Sequence, residues 1–240
     1  MKWAILSDVH GNLEAFEAVL ADLAPQKPGK VICLGDIVGY GADPNECIAA
    51  LTNLTDLTAA GNHDYGAVGM TSIENFNRMA YRAIVWTGKN LTMRSMAYLR
   101  SLPFFVEVGQ FVFAHAAPHE PGEWRYIASS RDAEESFREL DGRTGFIGHS
   151  HVPMVLQRGG PRDRGKAEEM TLEEGASYLI NVGSVGQPRD GDPRAAYGIY
   201  DDESRVYTVR RVPYDIAAAQ KKIRKAGLPP FLAERLAKGR

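Results

Sequence analysis

The chain has 240 residues, of which 44% are hydrophobic and 24% charged, a balance that suits one soluble globular domain with a multilayer core. Its 28 Lys and Arg against 30 Asp and Glu leave a net charge of -2. That excludes a general basic footprint for nucleic acid and an acidic tail.

In chain order, KWAILSD reads as a short apolar strand with a polar tip. NLEAFEAVLADL reads as a helix, with Leu13, Phe16, Leu20 and Leu23 near helical spacing and Asn12 as N-cap. GKVICLGD repeats the strand pattern. DPNECIAAL opens a second helix, with Asp43 as N-cap, Pro44 at the first helical position and Glu46 at capping-box spacing. LTAAGNHD reads as a third strand. This alternation predicts a parallel sheet with right-handed crossovers. Residues 72–102 break the rhythm with two helices, SIENFNRMAYRAIVWTGK and NLTMRSMAYLRSL, and predict an inserted helical cap. Its aromatics Phe76, Tyr81, Trp86 and Tyr98 read as packing. PFFVEVGQFVFAHA predicts a hairpin turning at Gly109 and Gln110. RDAEESFREL follows as a helix and TGFIGHS as a strand. Residues 158–169 form a polar excursion, an exposed loop or hairpin extension. ASYLINVGS, AAYGIYD and RVYTVRRV are strands, and 213–240 is a helical tail. The tail's basic run, Lys221, Lys222, Arg224 and Lys225, reads as a solvated face. The whole, 1–240, reads as one domain.

Cys33 and Cys47 are too few for a disulfide framework and read as free thiols of a reducing cytosol. The apolar run in MKWAILSDVH is far shorter than a secretory h-region, and no stretch approaches the roughly 20 apolar residues of a membrane span. The expectation is a cytoplasmic protein with no membrane or nucleic-acid partner.

In an open α/β sheet, ligands bind beyond the carboxyl ends of the strands. Those ends carry Asp8 and His10, Asp36, Asn62–His63–Asp64, His115, and His149 with His151. Of the 6 histidines only His119 lies outside this set. One histidine at a strand end is an ordinary turn or cap residue. Polar tips at five strand ends read together as a site. Asp, His and Asn without a thiolate suit Mn, Fe, Zn, Ni or Co. In an extended strand, Asp8 and His10, two apart, would face one side and chelate one ion; His149 and His151 share that spacing. These candidates outnumber the ligands one ion needs, so two ions are implied, with a carboxylate such as Asp36 bridging.

The segments DVH (8–10), GDIVGYG (35–41), GNHD (61–64), AHA (114–116) and GHSH (148–151) occur in an order that resembles the motifs of the calcineurin-like metallophosphoesterase superfamily. NVGSVGQPRDG (181–191) resembles the next segment of its compact bacterial branch, which includes phosphodiesterases, diadenosine tetraphosphatases and protein phosphatase-like enzymes. The resemblance implies a four-layer α/β/β/α sandwich. It implies two divalent ions, manganese foremost, with Asp8, His10 and His151 on the first, Asn62, His115 and His149 on the second, and Asp36 bridging. It implies hydrolysis of a phosphate ester or phosphodiester, of the nucleotide or dinucleoside polyphosphate class, by a metal-bound hydroxide. His63 would be the general acid and Asp64 would orient it. Two departures, AHA without a flanking Gly and Ser150 where Thr is common, remove no ligand.

The phosphorylated small-molecule substrate would be held by Asn62 and His63, by Arg125 beside Trp124 and Tyr126, and by Arg189, with Arg194 a further candidate. The glycines of GDIVGYGADP read as a tight turn before a phosphate cradle. Two other readings stand beside the esterase: a serine/threonine protein phosphatase-like enzyme, which needs an open groove, and a non-catalytic metal-binding scaffold of the kind this fold forms in the retromer complex. The full ligand set and His63 argue against the scaffold. An insert that roofs the site argues against the protein phosphatase.

Overall fold

The computed structural model describes residues 1–160 and 169–240, so most of the expected polar excursion lies outside the described residues. The strands are β1 (Lys2–Leu6), β2 (Lys30–Cys33), β3 (Phe105–Val108), β4 (Phe111–Ala114), β5 (Thr144–Ile147), β6 (Met154–Gln157), β7 (Glu169–Thr171), β8 (Tyr178–Asn181), β9 (Ala195–Asp201) and β10 (Val206–Val212). The helices are α1 (Leu13–Leu23), α2 (Pro44–Leu54), α3 (Asn62–Ala67), α4 (Arg78–Asn90), α5 (Met93–Ser101), α6 (Glu134–Leu140), α7 (Ile216–Lys225) and α8 (Pro230–Glu234). Two five-stranded sheets result, ordered β2-β1-β9-β10-β7 and β3-β4-β5-β8-β6.

Alternation along the strands builds the layers. In β1, Ala4 and Leu6 join Phe16 and Val19 of α1 and Leu51 of α2, while Trp3 and Ile5 join Phe111, Phe113, Phe146 and Ile180 of the second sheet. In the second sheet, Val112, Ile147 and Leu179 turn the other way, onto Phe137 and Leu140 of α6. The order through the molecule is therefore helices, sheet, sheet, helix. The sheet-to-sheet layer is aromatic: Phe113 stacks on Phe146 with centroids 5.3 Å apart, and Trp3 meets Phe111 edge-on at 5.2 Å.

Several local expectations are corrected. The sheets are mixed: β1 and β2, β4 and β5, and β5 and β8 run parallel, but β9 turns antiparallel onto β1 and pairs with β10 as a hairpin. The third expected strand shrinks to one parallel bridge, Cys33 with Thr58, because the chain enters α3 at Asn62. Asp43 makes no capping bond on α2; its carboxylate accepts from Lys222 at 2.9 Å, and Lys222 also pairs with Glu14 at 2.6 Å. Asn12 does cap α1, accepting from the Ala15 N–H at 3.2 Å. The first cap helix starts at Arg78 rather than residue 72, since Asn77 Oδ1 accepts from the N–H groups of Met79 and Ala80 and so sets the N-terminus. β6 and β7 have no counterpart in the sequence reading.

The tail folds back as α7 and α8. Ile223, Leu228, Leu232 and Leu236 pack with Ala80 and Ala83 of α4 around Tyr40, so tail and cap meet over the GDIVGYG segment. Cys33 and Cys47 are buried free thiols, pushed up by burial. Among the described residues no helix is long and apolar enough to cross a membrane.

Candidate metal centre and its cavity

Strand β1 ends at Leu6, so Asp8 and His10 do not share a face through the pleat. They converge through left-handed backbone: φ is 55° at Asp8, 51° at His10, 52° at Asp36, 65° at His149 and 61° at His151. Non-glycine residues held in this region cost on the order of 1 kcal/mol or more each, and persist where the surroundings fix them. Here the Asp8 and His10 N–H groups donate to the Gly35 and Asp36 carbonyls at 3.0 and 2.9 Å, and the His149 N–H donates to Asp8 Oδ2 at 3.1 Å. The pair His149 and His151 is also split: His151 joins Asp8 and His10, and His149 joins Asp36 and His115.

The first group is tight. Asp8 Oδ1 lies 3.1 Å from His151 Nε2 and 3.6 Å from His10 Nε2. In the second, Asp36 Oδ2 lies 3.2 Å from His115 Nε2, which faces His149 Nδ1 at 3.1 Å. Asp36 Oδ2 is also 3.6 Å from His10 Nε2, so this carboxylate oxygen stands between the groups. Three rings have their outer nitrogen fixed by a carbonyl: His10 Nδ1 on Val38 O at 3.0 Å, His115 Nδ1 on Leu34 O at 3.1 Å and His151 Nδ1 on Gln187 O at 2.5 Å. A carbonyl only accepts, so each Nδ1 carries a proton and each Nε2 is turned to the centre, the arrangement of metal-ligating imidazoles.

The charges agree. Burial pushes His149 and His151 down to about 3, keeping both neutral. Against burial, His115 and His63 hold Asp36 low, and His151 does the same for Asp8, the His63 and His151 rings acting once acid has protonated them. Also against burial, Asp36 pushes His115 up to about 9. Asp8 Oδ1, Asn62 Oδ1 and His149 Nε2 are buried without a hydrogen-bond partner. Partnerless buried polar atoms around two anionic carboxylates, with donors that are all nitrogen and oxygen, fit divalent ions of the borderline kind.

His63 and Asp64 separate in role. Both are buried on α3, but the Asp64 carboxylate does not reach the His63 ring. Its Oδ1 accepts from the Ile37 and Val38 N–H groups at 2.9 and 3.2 Å, and its Oδ2 from the Gly61 N–H at 2.9 Å. His63 Nδ1 has no hydrogen-bond partner. The ring is held by packing, on Tyr40 at 4.5 Å, His10 at 4.9 Å and Phe76 at 5.1 Å between centroids. The expected orientation of His63 by Asp64 is thus replaced: Asp64 fixes the loop after Asp36, and aromatic rings fix His63. Gly61 has extended backbone, φ -103°, so its lack of a side chain serves space rather than a turn. It admits Asp36, whose Oδ1 would lie 2.1 Å from any Cβ there and accepts from the His63 N–H at 2.8 Å.

Beside this centre opens a cavity of about 530 Å³. It is lined by Asn62, His63 and His149 of the candidate centre, by Tyr40, by Asn75, Phe76 and Asn77 of the loop before α4, and by Glu123, Trp124 and Tyr126 of the loop after β4. Tyr126 stacks on His149 at 3.9 Å and 23°. Arg125 is outside this lining and pairs with Glu120 at 3.0 Å. Arg189 also stands outside the lining, donating to Gln187 Oε1 at 2.8 Å and to the Tyr40 hydroxyl at 3.4 Å. Arg194 pairs with Asp192. His119 is held by Ser136 and Glu135, apart from the centre. Asn75 and Asn77, unmarked in a segment whose pattern reads as helix from residue 72, and Phe76, whose spacing reads as packing, line the cavity because α4 starts only at Arg78. Recognising Asn77 as an N-cap would have left 71–77 as a loop free to line a site.

A family model, that of the calcineurin-like phosphoesterase superfamily domain, matches residues 1–205. An uncharacterized protein of Methanocaldococcus jannaschii is 43% identical over 244 residues, covering 99% of this chain and 98% of that protein. The crystal structure of a metallophosphoesterase from Sphaerobacter thermophilus matches with a TM-score of 0.89 and 39% identity, covering 100% of this chain and 99% of that one. A hypothetical protein from Pyrococcus horikoshii OT3 matches with a TM-score of 0.81 at 19% identity, covering 100% and 98%, and shares the fold.

Proposed function

Given that the chain belongs to the calcineurin-like phosphoesterase superfamily, we propose that it is a phosphoric ester hydrolase with a two-ion centre, acting as one domain on a phosphorylated small molecule. Nucleotides and dinucleoside polyphosphates are the favoured class, as esters or diesters. The observation that carries the reading is the position of Asp36 Oδ2, within 3.2 Å of His115 Nε2 and 3.6 Å of His10 Nε2, between two groups of donors. Asp8, His10 and His151 would hold one ion and Asn62, His115 and His149 the other, with Asp36 shared. Divalent ions bound there, manganese foremost, would neutralise phosphoryl charge and activate a water.

The chain's own residues supply the rest. His63 lines the cavity, and with Nδ1 buried its Nε2 is the nitrogen left to protonate the leaving oxygen. Burial pushes this ring down, and the Asp36 charge opposes that; a phosphate group in the cavity adds to the opposition. Asn62 offers a neutral oxygen between centre and cavity. Arg189, which meets the Tyr40 hydroxyl at 3.4 Å at the edge of the cavity, is the arginine proposed for phosphate contact. The walls at 71–77 and 122–126 favour a small molecule over a phosphoprotein, which needs an open groove. Two buried free thiols support a reducing, cytoplasmic location.

Turnover of p-nitrophenyl phosphate and bis-p-nitrophenyl phosphate, with Mn²⁺ and then Zn²⁺, Fe²⁺, Ni²⁺ and Co²⁺, tests the proposal. Hydrolysis with at least one ion is expected. No hydrolysis of any phosphoester with any of them would overturn the enzyme reading in favour of a scaffold.

A further inference from the structure

We infer that the cavity is a seat for an uncharged planar heteroaromatic group, a nucleobase, so that the substrate is a nucleotide ester whose base is held by Tyr126 and the loop before α4. The phosphate part of this statement rests on the phosphoesterase reading; the seat itself does not.

The lining carries the argument. Among the described residues that form it, four are aromatic, Tyr40, Phe76, Trp124 and Tyr126, and three are amides, Asn62, Asn75 and Asn77. None is Lys or Arg, and the one charged side chain is Glu123. A polyphosphate chain needs cationic donors along its path; one cation, Arg189, stands at the edge against the Tyr40 and Tyr126 hydroxyls, and the lining itself offers rings, amides and a carboxylate. A nucleobase needs a flat apolar face to stack on and neutral donors and acceptors at its edge. Tyr126 meets the first need. One ring face lies on His149, and the residue is 58% exposed, so it stands as a platform. The Asn75 amide, exposed and in the same wall as Phe76, meets the second. The cavity, about 530 Å³, falls within the size of small-molecule sites. Tyr126 lies 3.9 Å from the ring of His149, a candidate ligand, so a base stacked on its open face lies beside the centre.

The test is calorimetric and reads binding without turnover. The probes are the methylene phosphonate analogue of adenosine monophosphate, whose carbon–phosphorus bond resists hydrolysis, the matching ribose phosphonate without a base, and phosphocholine. The Mn²⁺-loaded protein is expected to bind the adenosine analogue at least about tenfold tighter than the base-free one, the scale of a base stacked on an aromatic ring. Tyr126→Ala should reduce that ratio towards one and Tyr126→Phe should keep it, both with unchanged metal content. Asn75→Ala should keep the stacking gain and alter the preference between adenosine and uridine analogues. Equal binding of the base-bearing and base-free probes, an unchanged ratio in Tyr126→Ala, or tighter binding of phosphocholine through Glu123 would each overturn the inference. A preserved ratio in a protein that hydrolyses no phosphoester would instead overturn the esterase reading alone.

Discussion

The Nε2 atoms of His10 and His151 lie 3.1 Å apart, although each ring already commits its Nδ1 proton to a backbone carbonyl. Two lone pairs therefore face each other, with Asp8 Oδ1 at 3.6 and 3.1 Å. That arrangement is repulsive until a cation enters it. Metal binding should accordingly stabilise the fold: at 100 times the Kd, linkage gives about 2.7 kcal/mol. Thermal unfolding with and without chelator, together with metal analysis, checks this. A rise in midpoint with Mn²⁺ and two ions per chain are expected. Asp36→Asn should lower both counts of bound ion, and His151→Gln mainly the first. An unchanged midpoint would show that the donors close on themselves.

His63 is held by packing rather than by an acid, and it touches the cavity. His63→Ala should therefore retain both ions and lose roughly 10²–10⁴-fold in kcat on esters with poor leaving groups. On p-nitrophenyl esters, whose leaving group needs no proton, the loss should be much smaller. Equal losses on both classes would remove His63 as the proton donor.

Asp64 accepts three backbone N–H groups, from Ile37, Val38 and Gly61. Burial and then the Asp36 charge push this carboxyl up to about 7 against those bonds, so each counts as an ordinary hydrogen bond, about 1 kcal/mol, plus the cost of leaving a buried N–H unmet. Asp64→Ala should thus destabilise the protein by several kcal/mol and loosen Asp36. Asp64→Asn, which keeps one acceptor, should cost less. Urea unfolding measures the first effect. The pH profile of turnover for any folded variant should keep its shape, as Asp64 does not touch His63; a shifted profile would return Asp64 to the role the sequence suggested.

Much of this centre was legible because its chemistry is written in residue type. Five histidines and three aspartates at polar tips stay visible whatever the backbone does. What the sequence hid was conformation. Spacing of two suggested a pleat, and left-handed backbone at Asp8, His10, His149 and His151 replaced it. The four layers followed from the family resemblance and are seen in the alternation of β1 and β4. The cavity was harder to see. Its walls come from a loop before α4 and a loop after β4, whose meeting depends on tertiary packing around Tyr65, Phe104 and Trp124. No local period encodes such a meeting.

Gly61 supplies a sharper test of geometry. A methyl group there would lie 2.1 Å from Asp36 Oδ1, which the His63 N–H holds in place, and 2.4 Å from the Asp36 amide nitrogen. Gly61→Ala should push Asp36 out of position. Metal occupancy and turnover should then fall together, by at least about tenfold in activity, as expected when a reacting centre is misplaced by an ångström. Metal analysis at fixed free Mn²⁺ checks it, and wild-type occupancy would show that the loop yields instead.

Far from the centre, Asp22 of α1 accepts from Arg210 at 3.1 and 2.7 Å and from the Tyr197 hydroxyl at 2.6 Å, tying the first helix to β9 and β10. The Arg210 hydrogen bonds hold its carboxyl below the usual carboxylate range. A carboxyl depressed in the folded state stabilises above its unfolded value, about 3.9, and loses that contribution as pH falls through the lower folded value. Arg210 is 39% exposed, so solvent screening limits the gain to about 1 kcal/mol or less. Asp22→Asn should lower the unfolding midpoint slightly at pH 7, and the gap to wild type should narrow as pH drops below 4. Melting curves of the two proteins across that range decide it: a gap that widens with acid would mean that Asp22 acts through packing of α1 and not through its charge.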